Sequence, residues 1–242
     1  MPVCSNCLEL VRSLDGSYCA VCGEALLSPL FEGRTDALCG LCQRAHPPFE
    51  KALAYGSYEG ALRDLIHLLK YEQVRPAIHV LGPMLAEAMA RLEPAIPAGR
   101  IAVVPVPLHR HKKAERGFNQ SEMLARTALK RVHRPERFEL LTGALIRQRE
   151  TESQISRTRH QRRENLRGAF AVSGADIAGR LVLLVDDVFT TGTTVSECAR
   201  VLRRSGAQRV WVATVARTLK FAAVQGFRTE AMEEHEEHLA VA

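Results

Sequence analysis

The run Leu181–Val195, LVLLVDDVFTTGTTV, constrains this chain more than any other segment. Leu181–Val185 is a short, unbroken apolar stretch with the length and branching of a parallel strand buried on both faces. Asp186 and Asp187 follow at the expected C-terminal end of that strand, the place where open α/β sheets bind ligands. Thr190, Thr191, Gly192, Thr193 and Thr194 come next, and the pattern is helical from Val195 onward. A turn of small residues that opens a helix presents free N–H groups, hydroxyls and the positive end of the helix dipole, which together suit a phosphate. The acids suit vicinal hydroxyls. The two halves describe a clamp for a ribose 5-phosphate. The competing reading is a buried strand whose acids only cap the following turn.

The flanking sequence alternates between strand and helix patterns. Ala52–Tyr58 alternates like a strand, and Glu59–Tyr71 places Leu62, Leu65, Ile66 and Leu69 on one helical face. A second helix is expected around Ala77–Leu92, a strand at Ile101–Val104 and a helix over Asn119–Val132. After Leu181–Val185 come a helix over Val195–Ser205 and a strand at Arg209–Val215. This order implies a doubly wound α/β domain on a parallel sheet. Three units are expected: a cysteine module over residues 1–47, an α/β domain over 48–218 and a polar tail over 219–242. Ala45–Phe49 reads as the linker after the module. The Glu/His cluster of the tail contains His235 and His238, and reads as a solvated helix rather than a metal site.

Six of the seven cysteines fall in three C-x-x-C pairs: Cys4/Cys7, Cys19/Cys22 and Cys39/Cys42. Such a turn places two thiolates on one Zn²⁺, and two turns complete a tetrahedron. Cys19, Cys22, Cys39 and Cys42 have the C-x₂-C-x₁₆-C-x₂-C form of a zinc ribbon, with Cys4/Cys7 as the alternative pair for Cys19/Cys22. A redox role is the rival, but these pairs do not follow a strand of a βαβ unit. A closed four-cysteine site is structural, and replaces a core that so short a segment cannot build. Cys198 stands alone in the helix after the Thr/Gly turn and reads as core.

A net charge of +6 fits polyanionic ligands, diphosphates or nucleic acid, without choosing between them. The single Trp argues against an extensive base-stacking surface. No apolar run is long enough for a bilayer, and MPVCSNC lacks the features of a signal peptide, so a cytoplasmic protein without membrane insertion is expected. The basic charge concentrates in two places. The loop Pro105–Gly117 carries Arg110, Lys112, Lys113 and Arg116, next to the strand expected beside Asp186. Arg147–Arg167 has seven Arg, three Glu and almost no apolar residues, so it cannot bury itself.

The Leu183–Val185, Asp186, Asp187, Thr191, Gly192, Thr194 pattern resembles the 5-phosphoribosyl-1-diphosphate (PRPP) signature of type I phosphoribosyltransferases. The cysteine pairs, PPFEKALAYGSYEG, PVPL followed by RGFNQ, the run SRTRHQRRENLRGAF (Ser156–Phe170) and this signature resemble, in that order, the ComF family of competence-associated, phosphoribosyltransferase-like proteins. The resemblance covers roughly Cys4 to Thr218. Members of that family often carry four C-x-x-C pairs, and this chain has three, which leaves Cys4/Cys7 as an orphan.

The resemblance implies a PRPP site in which Asp186 and Asp187 are the catalytic-site carboxylates that grip the ribose hydroxyls, and Thr190–Thr194 hold the 5-phosphate. It implies Mg²⁺ bound with PRPP. Arg110, Lys113 and Arg116 become candidates for the diphosphate, and Arg157 and Arg159 for a lid that closes over it. The same arginine stretch also reads as an arm that contacts nucleic acid. Lys70, at the end of LRDLIHLLKY, is either part of a family motif or a cation placed favourably at a helix C-terminus. Three functions follow: a phosphoribosyltransferase, a non-catalytic protein binding single-stranded DNA for uptake, or a scaffold docking competence proteins. No apolar hood segment names an acceptor.

Overall fold

In the computed structural model, Leu181–Phe189 (β6) is the centre of a five-stranded parallel sheet. The structure describes residues 16–149, 164–174 and 176–219, together with residues 8, 9, 11, 13 and 14. The strand order is β1-β7-β6-β2-β3, with β1 Ala52–Ser57, β2 Ile101–Pro105, β3 Phe138–Leu140 and β7 Arg209–Arg217. All four pairings are parallel. Leu183 faces Val103 on one side and Trp211 on the other, so β6 is hydrogen-bonded along both edges. Leu181–Val185 are all buried, as an unbroken apolar run between two covering layers must be.

One layer holds three helices: α2 Gly60–Tyr71, α3 Ile78–Leu92 and α5 Gln120–Leu129. Leu62, Leu65, Ile66 and Leu69 of α2 pack there with Leu183, Val185 and Trp211. The interval of three or four residues between those leucines is what forms the apolar stripe. Helices α3 and α5 approach closely at Gly82, where an added Cβ would lie 2.4 Å from Thr127 Cγ2. The other layer holds α6 Thr193–Arg204 and a two-stranded antiparallel hairpin of β4 Leu145–Arg147 and β5 Phe170–Val172. Val182 and Leu184 pack into this layer with Val195, Cys198 and Leu202. Cys198 is core, as its sequence context suggests.

The short helix α1 Gly40–Arg44 belongs to the cysteine module, which joins the sheet edge through Ala52 N–H donating to the Val21 carbonyl. Phe49, expected in a linker, is buried at 5% exposure and packs edge-on against Phe189. It is an anchor because an aromatic ring beside the sheet gains far more from burial than a turn residue gains from solvent.

Several boundaries differ from the sequence pattern. β6 continues four residues past Val185, since the neighbouring β7 also runs on to Arg217 and keeps the ladder paired. Helix α6 starts at Thr193, after Gly192 with φ 73°. Much of the Pro105–Gly117 loop is a helix, α4 Arg110–Arg116, because RHKKAER is composed of helix formers and ends at Gly117 with φ 77°.

Candidate functional site

Along β6 the side chains alternate regularly between the layers up to Val185. The alternation then reverses: Val188 packs with the three-helix layer and Phe189 with the opposite one. Asp186 and Asp187 occupy the switch, and both reach helices of the same layer. Ser121 Oγ at the start of α5 donates to Asp186 Oδ1 at 2.9 Å, and the Asp187 N–H donates to the same oxygen at 2.9 Å. Lys70 Nζ from the last turn of α2 lies 3.0 Å from Asp187 Oδ1. The second oxygen, Asp187 Oδ2, is buried with no hydrogen-bond partner among the described residues. A buried carboxylate oxygen left in this condition is an open acceptor, and a hydroxyl donor would satisfy it.

Burial, then the charge of Asp187, pushes the Asp186 carboxyl up to about 7, against the opposing pull of Lys70 and the Ser121 hydroxyl. Burial by itself would lower the pKa of Lys70, but the charge and hydrogen bond of Asp187, helped by Asp186, raise it. The result is a polar cluster of two acids, one ammonium and one hydroxyl at the end of an apolar strand. Ser121 is held in place by its neighbour: Asn119 caps α5 by accepting from Ser121 N–H at 3.1 Å, and donates from Nδ2 to the Val106 carbonyl. Val106 N–H in turn donates to Val185 on β6. The PVPL and RGFNQ segments are thus braced against the aspartate strand.

The Thr/Gly turn follows directly. Thr190 is exposed, Thr191 and Thr194 are half-buried, and Gly192 and Thr193 are buried. The Thr191 and Thr193 hydroxyls are 2.8 Å apart. Gly192 stands at the helix N-cap in the left-handed region, and its missing Cβ would meet the Phe189 ring at 2.5 Å. A side chain there is excluded on both grounds. The turn borders a cleft of about 1000 Å³ whose far wall is the cysteine module and the Pro47–Phe49 segment, with Arg44, Arg200 and Arg217 among its charged residues.

Cys19, Cys22, Cys39 and Cys42 come together, with all four sulfurs within 4.8 Å of one another. Cys22 and Cys39 Sγ are 3.6 Å apart, close to the spacing of about 3.8 Å that a tetrahedral ion with bonds of about 2.3 Å requires. The turns are of the knuckle kind: Gly23, just after Cys22, has φ 70° and donates its N–H to the Cys19 carbonyl. The hydrogen bond with Cys22 is the main influence holding the Cys19 thiol down to about 4, and the same bond pushes Cys22 up. Four thiols this close cannot all ionise unless a cation joins them. The cluster is a four-cysteine metal site.

The remaining candidates are more dispersed. Arg110 and Lys113 are exposed on α4, as is Lys112, while Arg116 bonds Gln120 Oε1 at 2.7 Å. Arg147 and Phe170 pair across the hairpin, so the arginine-rich segment is the connection between its strands. Near its base Arg149 donates to the Asn165 and Arg167 carbonyls. Arg157 and Arg159 lie outside the described residues, as do Cys4, Cys7, His235 and His238. Sequence reasoning missed Ser121, whose signal was its place just after the capping Asn119. It also missed Arg217, which ends a largely apolar strand and is 3% exposed.

This sheet, with paired acids and a Thr/Gly turn on its central strand, is that of a phosphoribosyltransferase-type domain. A family model described as phosphoribosyl transferase domain matches residues 120–225. The chain is 32% identical over 224 residues to the DNA utilization protein YhgH of Escherichia coli, covering 90% of this chain and 91% of that one. Competence protein F of Haemophilus influenzae is 30% identical over 221 residues, covering 89% and 90%. Competence protein ComFC of Bacillus subtilis is 23% identical over 211 residues, covering 84% and 79%. The chain belongs to the ComF/YhgH family. Among the described residues no helix is long and apolar enough to cross a membrane.

Proposed function

We propose that this protein binds PRPP and transfers its ribose 5-phosphate group, in the service of DNA uptake or use. The observation that carries the reading is the β6–turn–α6 corner, where the open carboxylate acceptor of Asp187 is followed closely in sequence by the Thr190–Thr194 turn. Thr190–Thr194 would hold the 5-phosphate through hydroxyls and the N–H groups that open α6. Asp186 and Asp187 would accept from the 2- and 3-hydroxyls, with Asp187 Oδ2 ready for a donor. In transfer, the C1–O bond to the diphosphate breaks, its electrons leave with the diphosphate, and an acceptor nucleophile bonds to C1. No described side chain stands out as a general base, so positioning and electrostatics supply the catalysis. Exposed cations on α4 are suited to cover the leaving group, and the composition of the arginine-rich stretch that holds Arg157 and Arg159 suits it to the same role.

The aspartates do not offer a ready Mg²⁺ site, because Lys70 already neutralises Asp187. Mg²⁺ therefore fits as an ion carried by the diphosphate, whose charge it neutralises. Zn²⁺ fits the four-thiolate site, which has the closed coordination of a structural ion. The names of the E. coli and H. influenzae relatives support a DNA-related role. Arg44 and Arg200 in the cleft, with Arg203 and Arg204 beside it, support contact with a polyanion.

Calorimetric titration with PRPP and Mg²⁺ tests the reading. The expected result is saturable binding by the wild type, lost in Asp186→Asn/Asp187→Asn with an unchanged circular dichroism spectrum. A folded, zinc-loaded wild type that takes up no PRPP would refute it, and salt-dependent DNA binding would then be the function to pursue.

A further inference from the structure

The four-cysteine site and the phosphate turn are far apart in sequence, yet one buried side chain touches both neighbourhoods. Arg217, the last residue of β7, is 3% exposed. Its Nη1 donates to the Cys22 carbonyl, and its Nη2 lies 3.9 Å from Cys22 Sγ and 2.7 Å from Glu24 Oε2. The guanidinium plane sits over the Phe189 ring, 4.5 Å from its centroid. That ring is held from another side by Phe49 and abuts Gly192, the N-cap of α6 and the middle of the Thr190–Thr194 turn. The backbone repeats the tie: Phe189 pairs with Arg217, and Thr218 N–H donates to the Phe189 carbonyl.

We propose that Arg217 is a positioning residue that couples the metal site to the phosphate turn, so that zinc and a ribose 5-phosphate ligand bind cooperatively. The ligand half rests on the PRPP reading above. Four thiolates around a divalent ion carry a net charge of about −2. A buried guanidinium beside Cys22 offsets that charge and hydrogen-bonds the knuckle, the kind of outer contact that fixes metal ligands. With the ion present, the guanidinium is drawn to the knuckle and clamped by Glu24. Its plane then limits where the Phe189 ring can lie. Because the ring meets Gly192 where a Cβ has no room, a shift of the ring must move the turn. The coupling is reciprocal: whatever zinc does for the ligand, the ligand does for zinc.

Full-length wild type, Arg217→Met and Arg217→Lys decide it, with two readouts. The first is the PRPP–Mg²⁺ dissociation constant, measured zinc-loaded and after chelation. Stripping is expected to weaken the wild type about tenfold, within the range of allosteric couplings. Arg217→Met should already be weak when loaded, and should lose little more on stripping. Arg217→Lys keeps the charge but cannot stack and fork at once, so it should fall between them. The second readout needs no PRPP: the chelator concentration that removes zinc should drop roughly tenfold or more in Arg217→Met.

A folded Arg217→Met that binds PRPP like the wild type overturns the coupling, as does one that responds to stripping to the same extent. Should Arg217→Met fail to fold, Phe189→Leu breaks the same path at the ring. Unchanged zinc dependence of PRPP binding in Phe189→Leu would equally refute the proposal. If the wild type binds no PRPP at all, the PRPP reading fails. The chelator measurement then stands alone, and equal zinc retention by Arg217→Met and wild type would remove Arg217 from the metal site as well.

Discussion

Replacing Lys70 by Met removes the only ammonium that pairs with the two aspartates among the described residues, while keeping the bulk of the side chain. Among the described residues, Lys70 Nζ and Asp187 Oδ1 are 3.0 Å apart, with side chains 17% and 5% exposed. At that distance the attraction is about 5.5 kcal/mol for an effective dielectric constant of about 20. Much of it offsets the desolvation of the two ions, so the pair itself contributes little net stability. The variant is different, because it keeps a buried carboxylate with neither oxygen compensated. Losing one partner of such a pair costs about 3–5 kcal/mol. With about 2–4 °C per kcal/mol for a chain of this size, the melting temperature should fall by roughly 6–20 °C.

The pH dependence of that contribution has a definite sign. The Lys70 pKa is raised above its ordinary 10.5, so its contribution is complete below that value and is lost as pH climbs through the raised pKa. Denaturant melts of wild type, Lys70→Met, Asp187→Asn and the double variant give the coupling. The double variant should recover more than half of the Lys70→Met loss. A Lys70→Met protein within about 0.5 kcal/mol of wild type would refute the argument, since that is the range of an ordinary surface substitution. It would return Lys70 to the role of a simple helix-end cation.

Gly192→Ala should destabilise by about 2–4 kcal/mol, because it combines left-handed strain with a collision against the Phe189 ring; Phe189→Leu should restore part of the loss in thermal melts. Gly82→Ala should cost about 1–3 kcal/mol by prising α3 from α5 at Thr127, and Thr127→Ser in the same chain should relieve only part of it, because the Cβ contact remains. Asp186 is pushed up to about 7, so it is ionised only above that pH, and folding loses stability as pH rises through about 4 to 7 on its account. Hydroxyl donors favour the ionised form, so PRPP should bind about tenfold more weakly at pH 6 than at pH 8. Asp186→Asn serves as the control that reports the titration of PRPP itself, and an identical pH profile in both proteins would exclude Asp186 as the responsive group.

Much of this protein was legible locally. An apolar run flanked by acids and a Thr/Gly turn can bury itself only as a central parallel strand feeding a helix, so β6, the turn and α6 follow from residues adjacent in sequence. The C-x-x-C turns likewise carry their own geometry, since Gly23 supplies the left-handed residue that the knuckle needs. The periodic leucines of α2 specify the face it buries. What could not be read was every partner chosen across the fold. Whether Lys70 ends a helix or neutralises Asp187 depends on α2 lying over the end of β6. Ser121 becomes a hydrogen-bond donor to Asp186 only when α5 is braced by Val106. Arg217 reads as the charged end of a strand until β7, the knuckle at Cys22 and Phe189 converge on it. Local sequence determined the elements because backbone geometry and burial pattern act over a few residues. Tertiary structure decided the charge pairing, because a buried ion must be matched by whichever group the packing brings within reach.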